Sequence, residues 1–498
     1  MARLPLIGGA YSARSIIANA QRAINLYPEP NRQDAGAPMT HYQRSGLRQL
    51  VAGISAPVRG LFRASNGNGY AVIGSNVYSI SSSWGLTLLG TITPSRTNPV
   101  SMVDNGFEIL LVDGSPQGWT ITLSTNAFAQ VTDTVFGGAD RVDYLDSFLL
   151  WNQPGTRNFG SSLSNQFAPL DPLYFGTKTA WPDLLASLVV NRYEIVLFGT
   201  VKSEVWYNIG NPQFPFGRMP GSVIEHGLLA KYSIGTSDLS VFWLAQDLQG
   251  QALVFRLRGY EAKVISNYAL ANAIAKMAAS GTISDAIGYC YQQNGHVFYV
   301  LTFPTGDQTW VFDDSISDPD LAWHQRAWTD SSNGLHRDRT NCCANINGLN
   351  VVGDWENGAI YHLDPDRYTD EVSGVLGPIS FIRTFPHILA GRGPDAQPML
   401  ADGKQVKFES FIADIESGLG ALNSDGTPAK LTLRYSDDRG RTFSGDVLQT
   451  SGSPGEYLTQ PKWSGLGVAR DRVFELEHSI NGPAALNGAW VEATVLGQ

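Results

Sequence analysis

The chain has 498 residues, of which 43% are apolar and only 16% charged, and a net charge of −10. An average globular protein is about a quarter charged, so solubility rests on Ser, Thr, Asn, Gln and Gly, and there is no global basic field to capture nucleic acid. Gly (52) and Pro (26) require frequent turns, while apolar runs recur too regularly for a disordered chain, so many short strands are expected.

Residues 1–57 read as an arm. Seven arginines (Arg3, Arg14, Arg22, Arg32, Arg44, Arg48, Arg59) face only Glu29 and Asp34 up to Arg59. Such a segment is either solvated surface or a dock for an acidic partner through bidentate pairs. The stretch 11–27 suits a short helix or an extended segment, and Pro28 and Pro30 stop any helix. With too few apolar residues for its own core, the arm must lie on something else. No signal-peptide h-region is visible and no apolar stretch approaches the ~20 residues of a membrane helix. The expectation is synthesis and assembly in a cytoplasm, with no stable membrane insertion.

From Val58 onward, short β-type runs separated by turn signals repeat. Runs at 61–62, 70–73, 77–80 and 86–89 make a first four-strand unit, with Asn-Gly-Asn-Gly at 66–69 as a hairpin turn. Further units begin near residues 102, 142, 188, 241, 287 and 342, and an alanine-rich helical stretch intervenes at 268–279. The spacing of about 40–60 residues is that of propeller blades, which bury both faces of each small sheet by radial stacking. The expected fold is therefore all-β: a β-propeller of about seven blades (six to eight) over 58–375. Tandem β-sandwiches would need a linker between 58 and 363, and none is seen. Longer strands over 376–498 predict a C-terminal β-sandwich-like domain, either appended to the propeller or lending a strand to close its ring.

The sharpest motif is Ser436-Asp437-Asp438-Arg439-Gly440-Arg441-Thr442-Phe443, an Asp box like those of sialidase-type propellers. Gly440 supplies a positive φ, Asp438 accepts backbone N–H groups across the loop, and Phe443 caps it from the apolar side. A sialidase-like hydrolase would also need an arginine cluster and paired carboxylates. Arg192, Arg256, Arg258 and Arg383 fall at no such spacing, and Asp313-Asp314 reads as a turn. The eight histidines do not group, and Cys290, Cys342 and Cys343 form no metal spacing. No cofactor, metal or catalytic residue is expected.

Three stretches carry a resemblance: SARSIIANAQRAINLYPE at 12–29, leading to SGLRQL at 45–50; the string at 182–227 containing LFG, SEVWY and FPF, followed by 240–266; and YSDDRGRTF at 435–443. Together they resemble the tail-hub, or packaged-DNA stabilisation, proteins of short-tailed bacteriophages. Arg14, Asn25 and Tyr27 match the arm motif, and Glu204, Trp206 and Phe214 match the blade motif. In the Asp box, Arg439 and Phe443 stand where relatives often have Gly and Trp. The resemblance implies a structural subunit of a virion tail, working as a hexameric ring below the portal and adaptor. That ring extends the DNA channel, stabilises packaged DNA and carries tail spikes or fibres and a needle or plug. Double-stranded DNA would pass without sequence specificity, and the arm would order on neighbouring subunits. A glycan hydrolase and a glycan-binding tail adhesin are the alternatives.

Overall fold

The computed structural model describes residues 2–6, 9–16, 19–31, 38–246, 249–389, 404–419, 427–480 and 482–496. Strand Glu108–Val112 reads EILLV with no polar break, the pattern of a strand dry on both faces. Because successive side chains point to opposite faces, Ile109 and Leu111 join Tyr70, Val72 and Val77 of the preceding sheet. Leu110 and Val112 join Val142, Leu149 and Trp151 of the next. The same division recurs around the chain. Ile195 and Leu197 meet Leu150 and Phe159, whereas Val196 and Phe198 meet Val241 and Trp243. Phe242 and Leu244 meet Tyr299 and Leu301, and Phe298 and Val300 meet Val352 and Tyr361. Val351 and Ile360 then meet Val58, Ala71 and Ile73 of the first sheet. The sequence of inter-sheet cores returns to its start, which is a closed propeller of seven blades among the described residues.

Blades 1–6 take their strands in order from residues 58–91, 101–130, 142–177, 185–224, 235–264 and 287–329. Blade 7 takes three strands from 340–364, and its outer strand is Gly46–Val51, antiparallel to Ile360–Asp364. The segment before blade 1 thus closes the ring; the C-terminal domain does not. The helix Tyr268–Ser280 begins where the Asn267 side chain accepts the Leu270 N–H at 2.9 Å. It buries Leu270, Ile274 and Met277 beside the blade 5–6 core.

Two further sheets enclose a core of Leu26, Phe408, Phe411, Leu431, Trp463, Phe474, Leu476 and Leu486. One runs in the order Leu26–Pro30, Met39–Gln43, Ala485–Val495, Val406–Ile415, Lys462–Ser464, with Ala2–Pro5 also pairing with Ala485–Val495. The other continues the sheet of blade 6. Ala23–Ile24 pairs in parallel with Trp323–Thr329 and antiparallel with Val375–Thr384, and Asp471–Ile480, Lys430–Ser436 and Val447–Thr450 follow. The arm holds no helix among its described residues. Its strands pair within their own chain, so the arm does not need a neighbour to form them. Backbone amides and carbonyls of an arm laid on a sheet edge find partners there rather than in water.

Candidate functional site

The arm motif converges on Asn25, which is 1% exposed and has φ +57°. Asn tolerates this left-handed conformation better than other non-glycine residues. Its Nδ2 donates to the carbonyls of Ala327 (2.9 Å) and Ser380 (2.8 Å), and its Oδ1 accepts from the Ala327 N–H (3.0 Å) and Arg44 Nε (3.0 Å). One amide therefore joins the arm, blade 6 and the Val375–Thr384 strand, with every donor and acceptor position used. Tyr27 lies edge-on to His296 (5.3 Å) and Phe298 (5.5 Å) of blade 6, and burial pushes its phenol up. Arg14 is exposed in a bend.

The blade motif builds the joint between blades 3 and 4. Glu204 is fully buried. Its carboxylate accepts the N–H of Thr179 (3.2 Å), the N–H of Ala180 (2.7 Å) and Trp206 Nε1–H (2.7 Å). Trp206 and Phe214 both meet Phe159 of blade 3, at 5.2 and 5.7 Å, edge to face. A carboxylate so engaged has no face left for substrate; it fixes the 178–183 loop. In that loop Lys178, wholly buried, pairs with Asp183.

The Asp box forms the loop between the paired strands Lys430–Ser436 and Val447–Thr450. Asp438 accepts the N–H groups of Arg441 (3.0 Å) and Thr442 (2.9 Å) and the hydroxyls of Ser436 (2.7 Å) and Thr442 (2.6 Å). These bonds, the Thr442 hydroxyl first, hold its carboxyl well below the usual carboxylate range. The Ser436 hydroxyl accepts the Gly440 N–H (2.7 Å), and Gly440 has φ +86°. Phe443 is half-buried.

The arm and the Asp box, far apart in sequence, meet here. A β-carbon on Gly440 would lie 3.1 Å from Ile16 Cγ2 and 3.5 Å from Ala20 Cβ. His387 Nδ1 bonds Asp471 (2.9 Å), its Nε2 donates to the Ile16 carbonyl (2.7 Å), and Asp471 also takes Arg439 Nε (3.2 Å). Asp437 is held by both arms of Arg472 (2.6 and 2.7 Å), whose guanidinium lies 4.1 Å from the Tyr435 ring centroid. Sequence analysis named Arg44 only among the arm arginines and missed His387, Asp471 and Arg472, whose partners lie far away along the chain and leave no local signal.

No hydrolytic constellation assembles from the arginines considered for it. Arg256 and Arg258 both pair with Asp314, whereas Arg383 is buried against Gln21 Oε1 (2.9 Å) and the Arg22 carbonyl. Ser315, His296 and Asp313 do approach one another. However, both Ser315 Oγ (3.2 Å) and Asp313 Oδ2 (2.6 Å) address Nδ1, while Nε2 faces Glu29 of the arm (3.4 Å). A relay needs nucleophile and carboxylate on opposite ring nitrogens, so this histidine fastens the arm. Among the described residues no group of His, Cys, Asp and Glu has the arrangement of a metal site, and no helix is long and apolar enough to cross a membrane. Cys290, Cys342 and Cys343 are unpaired and line the propeller axis. Burial pushes all three thiols up, that of Cys342 to about 12.

Among solved structures, the chain is similar to the WD40 β-propeller domain of Doa1. Identity is 11%, covering 65% of this chain and 97% of that one, with a TM-score of 0.38. It is also similar to the Pan2 WD40 domain of Neurospora crassa (9%; 64% and 96%; 0.41) and to virginiamycin B lyase from Staphylococcus aureus (9%; 64% and 98%; 0.40). No curated protein matches it. The phage stabilisation family described as "Bacteriophage P22 Gp10, beta-propeller" matches residues 2–368, a span from the arm through all seven blades, and the chain belongs to that family of phage structural proteins.

Proposed function

We propose that the chain is a subunit of the tail hub, or nozzle, of a short-tailed bacteriophage. Six copies form a ring below the portal and adaptor, extend the DNA channel, stabilise packaged DNA and carry spikes or fibres and a needle or plug. Family membership over residues 2–368 carries this reading. The protein is a scaffold without catalysis: Glu204, Asp313, Asp314 and Asp438 are each engaged by structural partners. Assembly takes place in the host cytoplasm, and the finished protein resides in the virion tail.

The propeller axis supports a channel formed between subunits. The axis narrows to a cavity of about 280 Å³ lined by Arg59, Met102 and Tyr289, whereas the major groove of a duplex alone is about 12 Å wide. In this reading DNA passes beside the propellers. With a net charge of −10, the subunit binds phosphate weakly and leaves DNA mobile. The test is a knockout phage. Particles lacking the protein should package DNA and then leak it, and an image of complete particles should show a six-fold ring under the portal. Heads that stay stably full without it would remove the stabilisation role.

A further inference from the structure

The same axial cavity is lined by a guanidinium that no carboxylate among the described residues pairs at contact distance. Three ionic groups reach it from the inner strands and the loops that enter them. Arg59, 1% exposed, is satisfied: Nη2 meets Asp113 at 2.9 Å, Nε donates to the Asn98 carbonyl at 2.6 Å, and Nη1 donates to the Gly74 carbonyl at 3.0 Å. Asp140 is likewise satisfied, by Lys231 Nζ at 2.5 Å and Asn152 Nδ2 at 3.2 Å. Arg141 is different. Among the described residues its guanidinium makes one hydrogen bond, a long one, from Nη1 to the Ile234 carbonyl at 3.3 Å, and no carboxylate lies within ion-pair distance of it. The nearby Asp143 carboxylate is turned to the N–H groups of Val190 (2.7 Å) and Tyr144 (2.9 Å) instead.

Neutral hydrogen-bonding groups line the same cavity. The Tyr232 hydroxyl lines the cavity, buried and without a hydrogen-bond partner among the described residues. The three cysteines line it with their thiols protonated. Burial lowers the Arg141 guanidinium from its ordinary value, against the opposing pull of the Asp143 charge. A guanidinium without an ion-pair partner in a narrow cavity offers an anion site, because planar N–H pairs match two oxygens of one oxyanion.

We infer that the axis of the propeller binds a small oxyanion, of the carboxylate or inorganic phosphate class, against Arg141. The ligand ties blade 3, which carries Arg141, to the Tyr232, Cys290 and Cys343 side of the ring. The cavity of about 280 Å³ admits such an ion with accompanying water and excludes a nucleotide chain. This site is independent of the tail-hub role.

The experiment is thermal unfolding of the full chain titrated with sodium phosphate and, separately, sodium acetate, with sodium chloride holding ionic strength constant. Wild type should gain Tm with one or both oxyanions. Arg141→Met should weaken the apparent affinity by about tenfold or more, with its own Tm in chloride as baseline. Equal oxyanion responses in wild type and R141M, or none in wild type, would overturn the site. If R141M does not fold, a wild-type structure from phosphate solution decides. An oxyanion against Arg141 supports the inference, and an axis holding only water refutes it.

Discussion

Asn25 Oδ1 accepts the Nε–H of Arg44 at 3.0 Å, and Arg44 in turn grips both oxygens of Asp370, at 3.1 and 2.5 Å. The Asp370 Oδ1 also accepts the N–H of Leu47, in the strand that closes blade 7. The arm motif is thereby wired to ring closure through two side chains. Replacing Asn25 by Ala leaves two carbonyls, one N–H and a guanidinium N–H short of partners, in a backbone conformation that Ala resists. We expect a loss of about 3 kcal/mol or more, visible as a lower denaturant midpoint. A loss under 1 kcal/mol would show the amide to be dispensable.

Removal of residues 1–51 takes away the outer strand of blade 7 as well as the arm. An arm at 1–57 lying outside a propeller over 58–375, as the sequence suggests, would leave the ring folded when removed. The pairing of Gly46–Val51 with Ile360–Asp364 reverses that expectation. The truncated chain should be aggregation-prone, with a free sheet edge and a broadened unfolding transition. A sharp, native-like melt from a soluble monomer would contradict it.

His478 is 2% exposed, and burial lowers it to about 4 even though its Nδ1 donates to the Lys430 carbonyl at 3.2 Å. The unfolded chain, with an ordinary value of 6.5, takes up the proton first. This contribution is intact above pH 6.5 and is lost as pH falls toward 4. His478→Gln keeps an N–H donor and cannot titrate, so it should flatten the acid limb of stability by about 3 kcal/mol between those values. Parallel acid limbs in the two proteins would rule the residue out.

His296 has the opposite sign. The hydrogen bond to Asp313 and the charge of Glu29 raise it from 6.5 despite burial, so its contribution is complete below pH 6.5 and fades as pH climbs through the raised value. Arm protection in hydrogen exchange around Tyr27 should weaken across that window, and H296Q should remove the dependence.

Arg192 and Tyr193 form the inner turn of blade 4 with φ +53° and +64°, and Tyr193 is 81% exposed. The equivalent turns of blades 6 and 7 use Asn294-Gly295 and Asn347-Gly348. The double change Arg192→Asn, Tyr193→Gly should raise stability by about 1–2 kcal/mol. An unchanged or lower Tm would show that the exposed pair carries native contacts after all.

The all-β class and the seven-fold repeat were legible in the sequence because unbroken runs such as EILLV and EIVLF report strands buried on both faces. The hairpin loop at 437–442 was legible because its hydrogen bonds are local: Asp438 bonds only residues within four positions of itself. Tertiary structure decided the rest. Whether the arm or the C-terminal domain closes the ring depends on which strand reaches the free edge of Ile360–Asp364, and edge groups carry no address in the sequence. That Gly440 packs on Ile16, and that Glu29 meets His296, follows from the arm being laid across residues hundreds of positions away. A motif records what its residues need; only the assembled chain determines which distant residues meet that need, because a buried donor accepts any well-placed partner.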